Sequence, residues 1–317
     1  MILFWRKCEE GASLAGVHGT STVISLPDTV EGVPIVGLEP YCFSERTGKM
    51  QNQIEKSVLQ DETEGTLLPI EGNRIERLIL PGKLRTICNG AFYNCRNLQE
   101  IVIGNEISDI GSDVFVNCRK LKRITIQGDV REDCGAQKLL QRISSEIELV
   151  FLSDEGTQAA LLYPEYYEVL DEIAPAHIFG RNIVGEGFRA RQYFKDGVIQ
   201  LQEYDSIFEK AKNEENVSTL QKMALNRLRY PIHLTKEYKE QYETFLKKES
   251  KKIVINLVEK QRLEELVFLL KKDTIEQSVL DLCIQQAAEQ EWSEGAATLL
   301  NWKKKSLKKK KSKRYEF

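Results

Sequence analysis

The sequence predicts an α+β protein. An N-terminal repeat solenoid of short parallel strands occupies residues 1–152, a small α+β connector 153–204 and an α-helical domain 205–302, with a basic tail at 303–317. Three observations predict this. The stretch from Leu84 to Gly128 states nearly the same phrase twice; pairs of apolar residues recur at a fixed interval as far as residue 150; and from Asp205 onward the apolar spacing turns helical. A length of 317 residues suits about two domains. With 41% hydrophobic and 29% charged residues the chain has the composition of an ordinary globular protein.

The repeat defines the solenoid. Ile87 recurs as Ile110, Phe92 as Phe115, Asn94 as Asn117, Cys95 as Cys118 and Leu98 as Leu121, a constant interval of 23 residues. Extended both ways, the same interval places Leu78, Ile101, Ile124 and Ile147 in one row and Leu80, Ile103, Ile126 and Leu149 in another. Two apolar residues flanking one variable residue mark a short strand with one buried face. The phrase L-x-x-L-x-L at a period in the low twenties belongs to the leucine-rich class of solenoid. One coil cannot enclose a core, so the coils must stack, and the repeated phenylalanines are expected inside that stack. Residues 45–73 interrupt the interval and read as a polar surface insertion. Past Gly128 the aromatic turn is missing, and "REDCGAQKLLQRI" reads as a short helix closing the solenoid.

The phrases "ICNGAFYNCRNLQEIVI", "IGSDVFVNCRKLKRITI" and the earlier "LPDTVEGVPIVGLEPYCFS" resemble the bacterial BspA-like leucine-rich repeats over about residues 22–128, thinning to the strand near 150. The shared pattern is a proline-led turn, an apolar pair, an aromatic preceded by a small residue, then Asn-Cys and Leu. The resemblance implies protein binding; many such relatives sit on the cell surface and bind host proteins.

In the connector, "IELVFLSDEGTQAALLYP" predicts two strands about an Asp-Glu-Gly turn, "PEYYEVLDEI" a helix, and "RQYFKDGVIQLQEY" a second hairpin at Asp196-Gly197. Helical periods follow in "DSIFEKAK", "VSTLQKMALNRLRY" up to Pro231, "TKEYKEQYETFLKKESKKIVINLVEK", "RLEELVFLLKK", "TIEQSVLDLCIQQAAEQ" and "SEGAATLLNWKK". Thr235, Thr274 and Ser293 stand where N-caps belong.

Catalytic chemistry finds no foothold. "GRNIVGEGF" lacks the Gly-Lys-Ser/Thr of a phosphate loop and reads as a turn, although Arg189 and Arg191 after it form a weak anion candidate. His18, His177 and His233 have no metal-spaced partners, no G-x-S-x-G elbow occurs, and no cofactor or small-molecule substrate is expected. The seven cysteines are scattered without a C-x-x-C pair, so Cys95 and Cys118 are expected as buried thiols on adjacent coils. The five apolar residues before Arg6 are too few for a signal-peptide core, which places the protein in the cytoplasm as an expectation. From Lys303 to Arg314 the tail carries nine positive charges and no acid, Lys308, Lys309 and Lys310 among them. Such a tail offers nucleic acid or an anionic membrane as alternative partners.

Residues beside the inward pairs project from the strand face, the concave one in this architecture. One expected row, Arg77, Glu100, Arg123 and Glu146, alternates in sign and neutralises itself. The next, Ile79, Val102, Thr125 and Glu148, begins apolar and is the candidate contact with an unidentified partner protein. The expected function is a non-enzymatic interaction module, with an exported adhesin-like protein as the alternative.

Overall fold

A computed structural model describes residues 1–45, 54–59, 67–173, 178–272, 275 and 277–312. The chain forms two compact units, Met1–Glu214 and Glu215–Phe317. The first includes the residues expected to act as a connector.

The first unit is a β-solenoid of about five turns. Its front sheet takes one short strand from each coil, Val23–Ser25, Arg77–Ile79, Glu100–Ile103, Arg123–Gln127 and Ile147–Ser153, all parallel neighbours. The strand Gly156–Tyr163 closes this sheet antiparallel, hairpinned onto Ile147–Ser153 across the anticipated Asp-Glu-Gly turn. Parallel strands of this length cannot stand alone; alternate side chains Leu78, Ile101 and Ile124 bury completely or nearly so beneath the sheet.

The back sheet runs Asp109–Ile110, Thr86–Ile87, Val33–Leu38, Gly11–Gly19, Ile2–Cys8 and Glu55–Val58. Its N-terminal half caps the solenoid. Ile2–Cys8 and Gly11–Gly19 form an antiparallel hairpin that buries Leu3, Trp5, Leu14 and Val17, and Gly11–Gly19 lies parallel to the first coil's Val33–Leu38. The insertion expected to be surface loop also contributes: Glu55–Val58 adds to the edge of Ile2–Cys8, and Leu68–Pro69 pairs with Gly11–Gly19. Residues 46–53 and 60–66 of that insertion lie outside the described residues.

Between the sheets run three aromatic turns. Phe43, Phe92 and Phe115 stack with centroids 5.5 and 5.6 Å apart and ring planes within 12° and 10°. The turns bind each other through their backbones: Phe43 N–H donates to Ala91 O (2.8 Å), Phe92 N–H to Val114 O (3.1 Å) and Asn94 N–H to Val116 O (2.9 Å). Every donor thus points at the coil that follows it. The cysteine thiols run the other way, Cys95 to Phe43 O (3.2 Å) and Cys118 to Phe92 O (3.1 Å). All seven cysteines are free. Asn94 and Asn117 sit at φ 64° and 63°, a left-handed backbone that asparagine tolerates better than most residues, which is why Asn precedes each repeated Cys. Their amides join as well, Asn117 Nδ2 to Asn94 Oδ1 at 2.7 Å. Gly104 is required by packing: a Cβ there would lie 1.8 Å from Gly82 O in the coil before.

Two expectations fail here. Arg123 pairs with Glu148, Ile124 with Leu149 and Thr125 with Val150, so the last coil is spaced by 25 residues, not 23, and the rows that ended at Ile147, Glu146 and Glu148 end two residues later. The coil beginning at Arg123 replaces the aromatic turn by the helix Ala136–Leu140, which the sequence did announce, and this detour adds the two residues. The segment expected as a helix, Pro164–Ile173, is instead the strand Tyr167–Ile173, paired antiparallel with Ile178–Val184, and so the glycine-rich stretch expected as a turn is mostly strand. Tyr166, Tyr167, Val169 and Ile173 are aromatic or β-branched residues that favour a strand, and they outweighed the acidic composition. The hairpin at Asp196-Gly197 is present, with both residues at positive φ (50° and 79°) as a two-residue turn requires.

The second unit is helical: Val217–Arg229, Lys236–Lys248, Ser250–Glu259, Leu263–Lys271, Gln277–Glu289 and Ser293–Ser312. Asn216 caps the first by accepting from Thr219 N–H, and Thr235 caps the second by accepting from Tyr238 N–H; the expected cap at Thr274 lies outside the described residues. Two helix ends use the same device. Gln261 and Glu291 adopt φ 51° and 56°, and the next N–H, of Arg262 or Trp292, reaches back to Leu257 O or Ala287 O. This closes a Schellman turn that reverses the chain within a few residues. The last helix carries the backbone of the basic run through to Ser312, so residues 303–312 extend that helix.

Candidate functional site

The front sheet presents its outer face on side chains that alternate with the buried ones. Five strands in strict register place Val23, Arg77, Glu100, Arg123 and Glu148 in one outward row and Ser25, Ile79, Val102, Thr125 and Val150 in the next. Register is fixed because a slip of one residue would expose the core face.

The charged row pairs off internally. Arg77 Nε donates to Glu100 Oε2 at 2.8 Å, and Arg123 Nη2 and Nε donate to Glu148 Oε2 at 2.6 and 2.7 Å. The expected alternation holds with Glu148 in place of Glu146. Such half-exposed pairs contribute less than about 1 kcal/mol each. Their larger consequence is a face without a net field.

The second row is tighter than the sequence suggested. Val102 is 5% and Thr125 7% exposed. Val102 stands in register between Ile79 and Thr125, neighbouring strands lie about 4.8 Å apart, and β-branched flanks leave it little free surface. Thr125 Oγ1 donates to Glu100 Oε1 at 3.4 Å, tying the two rows together. Ile79 and Val150 stay half-exposed, and Val23, at the start of the charged row, is exposed. The accessible apolar atoms of this face thus sit at Val23, Ile79 and Val150, on either side of the sealed Val102 and Thr125. Glu148 belongs to the charged row.

The arginines after the glycine-rich stretch do other work. Arg191 is 2% exposed; its Nη1 donates to Pro164 O and Gly187 O (both 2.7 Å) and its Nη2 to Ser145 O (2.8 Å), with the guanidinium 5.7 Å from the ring centre of Tyr163 and 5.1 Å from that of Tyr166. Burial pushes its pKa down to about 10. It is a clamp inside the closing segment, and no anion can reach it. Arg189 pairs with Glu186 at 2.8 Å. Lys308, Lys309 and Lys310 lie on the last helix, with side chains outside the described residues.

Other chemistry is sparse. Among the described residues no group of His, Cys, Asp and Glu could hold a metal ion, and no helix is long and apolar enough to cross a membrane. In the helical unit a cavity of about 420 Å³ is lined by Leu228, Leu246, Leu269, Glu243, Lys247 and Lys272, with Lys272 Nζ bonded to Glu243 Oε1 at 2.9 Å.

A family model described as BspA type leucine rich repeat region matches residues 70–134, in 6 copies. That span covers the second and third coils and the first half of the next. No curated protein and no solved structure matches the chain.

Proposed function

We propose, from the BspA-type leucine-rich repeat region at residues 70–134, that this chain is a non-enzymatic protein-interaction module whose docking surface is the outer face of the front sheet. The observation that carries the reading is the register of that face. Five parallel strands hold their outward side chains in two straight rows with the charges already neutralised. A surface of this kind selects a partner by shape and apolar contact at Val23, Ile79 and Val150 more than by charge. The seven free thiols, five of them buried, fit a reducing compartment, and we place the protein's work in the cytoplasm.

Affinity capture from lysate with three forms of the full chain tests this. Ile79→Asp with Val150→Asp is expected to remove the captured partner, whereas exchange of Arg77 and Glu100 leaves it bound. The opposite pattern, loss on charge exchange and retention after the aspartate changes, rejects the apolar contact.

A further inference from the structure

The aromatic-turn ladder has a direction, and its last rung ends in space. In the coils before it, each turn hands its N–H groups to carbonyls of the next turn: Gly90 to Ser112 O, Phe92 to Val114 O, Asn94 to Val116 O. The equivalents one interval later are Asp113, Phe115 and Asn117. The coil that should answer them carries the helix Ala136–Leu140 instead of a turn. Among the described residues no acceptor reaches the N–H of Phe115 or Asn117.

A cavity of about 350 Å³ occupies that gap, bounded on one side by Phe115 to Arg119 and Leu121 and on the other by Arg142 to Ser145. Its lining holds two guanidinium groups and no carboxylate. Arg119 forms no ion pair with any described residue; Arg142 gives only Nη2, to Ile110 O at 3.0 Å, and retains its other donors. The hydroxyls of Ser144 and Ser145 have no partner among the described residues. The residues lining the gap thus carry two backbone N–H groups, two hydroxyls and the Arg119 guanidinium with no acceptor among the described residues, and the Arg142 guanidinium with Ile110 O as its acceptor there.

We propose that this ladder end is a binding site for an oxyanion of the phosphate or carboxylate class, seated between the Phe115–Asn117 backbone and the Arg119 and Arg142 side chains. Its oxygens stand in for the carbonyls that a further turn would have supplied. The site is separate from the strand face, and either can fail without the other.

Amide chemical shifts of Phe115 and Asn117 in the isotope-labelled full chain, titrated at constant ionic strength with inorganic phosphate, acetate or chloride, decide it. Phosphate or acetate should give a saturating shift that chloride does not, and whichever saturates identifies the source of the oxyanion. Arg119→Gln, at an exposed residue whose side chain has no partner among the described residues, should weaken that binding about tenfold. Arg131→Gln, at a residue that does not line the gap and pairs with Asp129, should leave it unchanged. No saturating shift, an equal response to chloride, or an unchanged midpoint in Arg119→Gln overturns the proposal.

Discussion

The coils between residues 75 and 127 and the segment that closes them, 128–214, belong to one unit and solve the same problem by opposite means. In the coils the partners lie in the neighbouring coil and recur with the repeat: Phe92 stacks on Phe115 and Asn94 bonds Asn117, each its own counterpart one interval away, while Cys95 and Cys118 reach the carbonyls of Phe43 and Phe92 in the coil before. In the closing segment no bond recurs. Arg191 ties Pro164, Gly187 and Ser145 together, and the Tyr204 hydroxyl reaches Leu162 O at 2.7 Å from 42 residues away. Repetition spreads stability over many equivalent contacts, whereas closure concentrates it in a few that have no substitute.

Mutations can break that contrast. The largest expected effect is at the middle of the aromatic stack, where Phe92 has a ring on both sides: Phe92→Ala should cost about 3–5 kcal/mol in urea unfolding. Phe115→Ala should cost less, because Phe115 ends the stack and is 8% exposed. A larger loss at Phe115 would mean that the closing segment, not the stack, carries the load. Next comes Arg191→Met, which takes the donor from two buried carbonyls, of Pro164 and Gly187, and from the half-buried carbonyl of Ser145. It should lose about 2–3 kcal/mol, and a neutral result would show that the clamp is replaceable after all.

A smaller effect is tied to pH. Burial pushes the thiol of Cys118 up to about 12 and that of Cys134 to about 11, against 9.0 for a free thiol. Raised values mean that the folded state keeps protons that the unfolded chain releases. The stabilisation is therefore complete below pH 9 and is lost as pH climbs from 9 towards 12. Denaturation midpoints measured from pH 7 to 11 should fall over that window, and Cys118→Ala should flatten the decline. Smallest of all, Arg77→Leu on the outer face should change stability by less than about 1 kcal/mol, and Leu170→Ala, 69% exposed on the Tyr167–Ile173 strand, by no more than about 0.5 kcal/mol. A loss of several kcal/mol at Leu170 would mark that hairpin as packed.

The same contrast explains what the sequence disclosed. Stacked phenylalanines, buried thiols and the outward charge row were legible because a period shows which residues are equivalent. The direction of the thiol bonds was not, since a buried Cys reads only as small and apolar. The slip of two residues in the last coil was hidden because Ile147, Leu149 and Phe151 are all apolar, so either register offers a buried pair, and only the length of the Ala136–Leu140 detour decides between them. The clamp at Arg191 was invisible for another reason: its three acceptors are carbonyls, which every residue carries. On the front face, the row of outward side chains could be read, but not that Val102 and Thr125 would seal each other, which depends on the spacing of neighbouring strands.

The alternating row of Arg77, Glu100, Arg123 and Glu148 also imposes a parity on the molecule. Duplicating one coil would place two like charges side by side on adjacent strands, whereas duplicating two consecutive coils would preserve every opposite pair. Lengthening this protein should therefore be tolerated in steps of two coils and resisted in steps of one, although the core stack would accept either.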